Sequence, residues 1–187
     1  MKYQIINNFL TSEECAQLIT MSKSKLEPSK SLDKVTGEER VSEERKSNQM
    51  YFALLANPLI ASIEKRISRL TNTPIENGEN MQVVYYEPGG YFYSHFDDFD
   101  TYEGANPLDE GGHRILTFMI YLNDVNEGGE TYFPKINLSV QPQMGKAFWW
   151  HNLLPNGDRD IETQHMARPT STDKWICTKW VRQDVAL

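Results

Sequence analysis

Cysteine is nearly missing from this sequence: Cys15 and Cys177 are the only two, far apart and in no CxxC pair. That excludes a disulfide framework and a zinc-ribbon cluster, and it reads as two reduced intracellular thiols. Long apolar runs are missing too. Nothing approaches the ~20 residues needed to cross a bilayer, and the opening MKYQIINNFLTSEECAQL has no signal-peptide core, so no membrane partner and a cytoplasmic location are expected. Cations are in deficit, with 19 Lys and Arg against 26 Asp and Glu and a formal net charge of -7. A nucleic-acid binder normally carries a basic face, so no nucleic-acid partner is expected; a small anion held by one buried cation is still compatible. Nor is there a convincing Ser/His/Asp or Cys/His set for nucleophilic catalysis.

What is present suits one soluble domain. A chain of 187 residues, 39% hydrophobic and 24% charged, buries close to ~70% of its unfolded surface and needs no metal to fold. Residues Tyr3 to Phe9 look strand-like, and Thr11-Ser12-Glu13-Glu14 looks like a helix opening, a hydroxyl cap followed by acids. From about Lys23 to Ser47 the sequence is polar with almost no apolar periodicity, and we read a mobile loop. Leu59, Ile60, Ile63, Ile67 and Leu70 then fall at helical spacing within Leu54 to Leu70. From residue 81 short β-rich runs alternate with turn signals such as Pro88-Gly89-Gly90 and Gly128-Gly129. This texture predicts an α+β fold: a β-sandwich or jelly roll over 81–187, with the helices, strand and loop of 1–80 packed outside.

His95-Phe96-Asp97 is the first chemical signal. Residues two apart in a strand project to the same side, so an imidazole and a carboxylate converge with Phe96 behind them. Two histidines and one carboxylate with open positions opposite typify non-haem iron(II) oxygenases. The third ligand is one of His113, in a glycine- and acid-rich loop, His151, at the end of FWWHN, and His165, ahead of the last strand. The strand downstream of His165 favours that histidine. Lys174, Ile176, Thr178 and Trp180 share one strand face, and a lysine on an apolar inward face is costly to bury without an anion. A dicarboxylate cosubstrate held at its other end by the metal would supply that anion. A one-residue shift of register would present Lys179 instead.

At this point the sequence resembles a known family, the iron(II)- and 2-oxoglutarate-dependent prolyl 4-hydroxylases. The similarity is carried by NNFLTSEECAQLI, Arg45-Lys46-Ser47, YYEPGGYFYSHFDD, RILTFMIYLNDVNEGGETYFP, GKAFWWHNL and QHMARP…KWICTKWV, in the family's order. The resemblance implies a double-stranded β-helix core with N-terminal helices on one face. It implies His95, Asp97 and His165 as iron ligands, and Lys174 as partner of the far carboxylate of 2-oxoglutarate. Tyr86, Thr117 and Trp180 match positions lining the cosubstrate pocket, and Arg114 falls near one used towards the peptide. Phe92 and Trp150 offer faces for a proline ring. The gap from His165 to Lys174 is one residue shorter than in that family, and Met166-Ala167-Arg168 stands where a glycine is often found.

The implied activity is hydroxylation of a prolyl residue at its 4-position in a peptide or protein, with 2-oxoglutarate and O2 consumed, succinate and CO2 released, and ascorbate as reductant. A monomer or dimer is expected. Three rivals stand beside this reading: a same-fold oxygenase with another target, a non-catalytic metal-binding β-barrel, and a zinc hydrolase, for which no general base is evident. The polar, turn-rich segments Glu27–Glu44 and Asp98–Gly112 are expected to order only with substrate. Amide hydrogen exchange as slow there as in the β-rich runs would contradict that expectation.

Overall fold

The computed structural model describes residues 1–32, 39–99 and 111–186. Its framework follows from period-two alternation in a few buried strands. In β7 (Met81–Tyr86), β9 (Arg114–Tyr121), β12 (Ala147–His151) and β14 (Lys174–Arg182) almost every side chain is buried, on both faces. These four belong to a seven-stranded antiparallel sheet of order β1-β12-β9-β14-β7-β6-β2, completed by β1 (Tyr3–Ile6), β6 (Asn48–Phe52) and β2 (Glu27–Pro28).

One face of this sheet carries Met81, Val83, Leu116, Phe118, Ile120, Trp149, Trp175, Cys177 and Val181. These share a core with Cys15 and Leu18 of α1 (Ser12–Lys23) and Ile60, Ile63 and Ile67 of α2 (Pro58–Thr71). The other face carries Val84, Tyr86, Met119, Tyr121, Phe148, Trp150 and Ile176, in a second core with Phe133, Val140 and Ala167. Those last three come from a five-stranded sheet of order β11-β10-β13-β8-β5: β11 (Leu138–Val140), β10 (Thr131–Phe133), β13 (His165–Ala167), β8 (Tyr91–His95) and β5 (Arg45–Lys46). Two antiparallel sheets facing each other across a partly apolar interior make a jelly roll.

The expected helices are there, with ends set by their caps. Thr11 and Glu14 form a reciprocal capping box at the start of α1. α2 begins at Pro58, later than the apolar spacing suggests, because the Asn57 side chain accepts from Ile60 N and proline is tolerated at the first helical position. The first strand stops at Ile6, short of the expected Phe9, and Asn8 follows with φ 55°. The segment read as a loop from Lys23 to Ser47 also differs. It finishes α1, adds β2 and β5 to the edges of the two sheets, and forms a separate pair from β3 (Ser31–Leu32) and β4 (Glu39–Arg40). Two-residue edge strands show no alternation, so composition alone misses them. Residues 33–38 and 100–110 of the two segments expected to order with substrate lie outside the described residues.

β14 decides where its two lysines point. Lys174 pairs with Tyr86 and Trp180 with Thr117, so Lys174 and Trp180 face the five-stranded sheet, and the short 169–173 turn absorbs the reduced spacing. Lys179 faces the helices, 3% exposed, and donates a 2.7 Å bond to Glu64 of α2. It is therefore a structural ion pair and no solvated bystander. Breaking a buried pair strands the remaining charge and costs ~3–5 kcal/mol. Lys179→Ala is expected to lower the unfolding free energy by about that amount in urea titration, and the Lys179→Met/Glu64→Leu double variant to recover much of it.

Candidate metal and cosubstrate site

The site assembles at β8 and β13, which pair directly at His95 and His165. The register then slips, so that Ala167 faces Phe92, which leaves one extra residue in β8. Such a bulge re-aims a side chain, and it brings His95 and Phe92 to the same side with their rings stacked 3.6 Å apart. Asp97 lies past the end of β8, so its convergence with His95 comes from the chain leaving the strand and not from alternation within it. His95 Nε2 is 3.6 Å and His165 Nε2 3.8 Å from Asp97 Oδ1. All three ligand atoms lie within 4.8 Å of one another, and no other such group of His, Cys, Asp and Glu occurs among the described residues.

Each ligand is oriented by a bond on its far side. His95 Nδ1 lies 2.8 Å from Tyr93 O and His165 Nδ1 2.9 Å from Thr163 O. Donation to those carbonyls leaves each Nε2 lone pair aimed at the common point. Asp97 Oδ2 accepts a 2.7 Å bond from Thr117 Oγ1, which leaves Oδ1 for the centre. Thr117 in turn accepts from Asn152 Nδ2 at 3.0 Å, and Asn152, fully buried, also donates to Arg114 O. Burial, then the neighbouring His95, pushes His165 down to about 4. Burial opposes ionisation of Asp97, but the two imidazoles and the Thr117 bond outweigh it and hold the carboxyl well below the usual range. At neutral pH His165 is thus a neutral imidazole and Asp97 a carboxylate, the protonation states a divalent metal requires of those two ligands.

Next to the triad, a cavity enclosing about 470 Å³ of empty space, its mouth included, is lined by Lys174, Tyr86, Thr117, Trp180, Phe92 and Arg45 among others. Lys174 is 1% exposed and its Nζ makes no hydrogen bond. It lies 4.8 Å from the Tyr86 ring centroid. Burial pushes it down to about 7, against Glu130, which pulls it up. Trp150 Nε1 and Trp180 Nε1 are also buried without acceptors. Three orphaned donors on one cavity wall fit an anion rich in acceptor oxygens, so the residues suit a dicarboxylate as well as the triad suits iron(II). A plain zinc-hydrolase site has no use for such a pocket.

Arg114, expected towards the peptide, does not line the cavity. Its guanidinium holds Glu79 in a bidentate pair at 2.6 and 2.7 Å and lies over the rings of Trp180 and Phe99. It forms the wall behind Trp180. Trp150 and Phe92 do line the cavity, Trp150 meeting the His165 ring edge-on. His113 bonds Asp98 and His151 packs on Trp149, so neither joins the triad. Sequence reading gave no role to Asn152 or to Arg45 in this cavity. A polar residue beside His151 in a buried run was the available signal for Asn152; nothing local marked its partner as Thr117.

A jelly roll carrying a two-histidine, one-carboxylate centre beside an anion pocket defines a class, and comparison with known proteins gives the family. The sequence model of the 2OG-Fe(II) oxygenase superfamily matches residues 81–182, more than half of the chain. Probable prolyl 4-hydroxylase 10 of Arabidopsis thaliana is 38% identical, over 95% of this chain and 68% of its own length. Prolyl 4-hydroxylase 1 of the same plant is 36% identical, over 96% and 68%. The viral collagen prolyl hydroxylase of Paramecium bursaria Chlorella virus-1, solved as a 2OG complex, superposes with a TM-score of 0.77 at 29% identity, covering 97% of this chain and 96% of that one. The chain belongs to the 2OG-Fe(II) oxygenase superfamily, in its prolyl 4-hydroxylase family.

Single replacement of His95, Asp97 or His165 by Ala is expected to abolish activity without unfolding the chain, whereas His151→Ala retains it. Thr117→Val frees the Asp97 carboxylate to swing and should weaken iron(II) about 10–100-fold. Succinate formation, anaerobic metal titration and a thermal melt on the same sample check these effects.

Proposed function

We propose that this protein hydroxylates a prolyl residue at its 4-position in a peptide or protein, converting 2-oxoglutarate and O2 to succinate and CO2. One observation carries the cosubstrate: a fully buried, unpartnered ammonium on the cavity wall beside the triad. The prolyl substrate is supported by the relatives, whose names describe prolyl 4-hydroxylases. Iron(II) held by His95, Asp97 and His165 would supply the activation of O2, with ascorbate as a reductant that keeps it ferrous.

The protein's own part is binding and orientation. Lys174 receives the distal carboxylate in a charge-assisted bond that supplies the acceptor its Nζ lacks. Tyr86, buried, stiffens that end of the cavity, and its phenol is held neutral by the same burial. Thr117 fixes the Asp97 rotamer, and the Phe92 and Trp150 faces keep the centre apolar on the side left for substrate. Succinate counted per hydroxyproline formed, with proline-rich peptides and a panel of other peptides, tests the reaction. Tight succinate coupling to a non-prolyl target would establish the same-fold alternative instead.

Lys174 separates function from stability. A charge-assisted bond is worth ~1.5–3 kcal/mol, so Lys174→Met should weaken 2-oxoglutarate at least about tenfold while leaving iron(II) affinity unchanged. In the folded chain this lysine sits below its unfolded value, so its charge costs stability at and below neutral pH, and Lys174→Met should melt higher than the parent. The sign for binding is opposite. The anion needs the ammonium, so 2-oxoglutarate affinity should be level below about pH 7 and fall about tenfold per pH unit above it. Calorimetric titration over that range checks the slope.

A further inference from the structure

Two buried side-chain atoms, Lys174 Nζ and Glu130 Oε2, lack hydrogen-bond partners, and they make no ion-pair contact with each other. Glu130 stands immediately before β10, and its other oxygen accepts a 3.1 Å bond from Arg168. The backbone carries it to the lysine. Gly128 and Gly129 both have positive φ, 70° and 69°, a region only glycine enters without strain. A Cβ on Gly129 would come within 3.3 Å of Lys174 Cδ and 3.1 Å of Thr170 Oγ1. Gly129 N donates to Pro169 O and Arg168 N to Glu130 O. The glycine pair thus lets the turn lie against the stem of Lys174 and presents Glu130 directly after it.

A buried carboxylate with a bare oxygen needs a cation. Its ion-pair partner, Arg168, is 43% exposed and solvated, while Lys174, whose stem lies against the preceding Gly129, is sealed. With the cavity read as the 2-oxoglutarate site, a reading on which this step rests, we propose that Glu130 is the built-in counter-charge of Lys174. It favours the ammonium form before the dicarboxylate arrives, and sets the strength and pH range of dicarboxylate binding.

The other groups around Lys174 do not supply that charge. Tyr86 and Tyr121 present rings at 4.8 and 5.9 Å, and the Tyr121 hydroxyl is engaged by Thr131 and Val140 O. Asp97 is held by Thr117 beside His95 and His165, and Arg45 bonds Ser47 and lies over the Phe92 ring. Glu130 alone raises Lys174 against its burial. It has two opposed effects, since it favours the ammonium and repels the incoming carboxylate.

The test is anaerobic calorimetric titration of 2-oxoglutarate into the iron(II)-loaded chain, from about pH 6 to about pH 9, in buffers of differing ionisation enthalpy. These report both the affinity and the protons taken up on binding. Glu130→Gln should bind more tightly at the acid end. The pH at which affinity begins to fall should move down by about half a unit or more, about threefold in affinity on the alkaline side, with greater proton uptake near neutrality. Arg168→Gln leaves Glu130 to Lys174 alone and should move that pH up, with smaller uptake. Because Arg168 reaches solvent, this second variant still decides the matter if Glu130→Gln does not fold. An unchanged pH profile and proton count in a folded variant overturns the role of Glu130. If the unaltered protein takes up no 2-oxoglutarate at all, the cavity reading itself falls, and this proposal with it.

Discussion

An ammonium group sealed in a protein wall with no hydrogen-bond acceptor is among the more expensive things a fold can contain. Lys174 is such a group, 1% exposed and without a partner for Nζ. Desolvation works to neutralise it, and it remains a useful cation only as long as something negative stays near or arrives. The rest of the site is arranged around that condition. The cavity wall offers further orphaned donors in Trp150 and Trp180, and the triad that lines the same cavity would hold the metal. Stability is given up locally so that ligand binding can restore it, a pattern typical of functional sites.

Lys179 shows the contrast within one strand. It is buried nearly as deeply, five residues on and facing the helices, yet its charge is satisfied permanently by Glu64 of α2. One β14 lysine therefore holds a helix to the sheet while the other holds a place open for a ligand. Period-two geometry separates them completely, since neighbouring side chains of one strand never share a face.

The triad depends on features that break regularity. A bulge in β8 turns His95 inward, Asp97 sits past the strand end, and β13 is only three residues long. The regular part of the fold contributes by bracing: Thr117 in the middle of β9 and Asn152 after β12 lock the Asp97 carboxylate, and carbonyl groups lock both imidazoles. Such bracing makes two side chains of the five-stranded sheet and one from the segment just beyond it a preorganised centre.

The long buried strands, the two helices and the alternating face that carries Lys174, Ile176, Thr178 and Trp180 are legible in the chain before it folds. Those are local periodicities, each written in consecutive residues and enforced by burial. Its family likeness also singled out the three ligands. The remainder arises when distant segments meet. The strands at 138–140 and 165–167 and the edge pairs around 27–46 are too short to show a period, so their existence depends on a neighbouring ladder. Arg114 is drawn away from the cavity by Glu79, 35 residues earlier, and Thr117 gains its role through Asp97, Asn152 through Thr117. These are pairwise facts between distant positions, fixed by which charges and hydrogen-bonding groups the closed fold leaves facing one another, and no single stretch of sequence contains them.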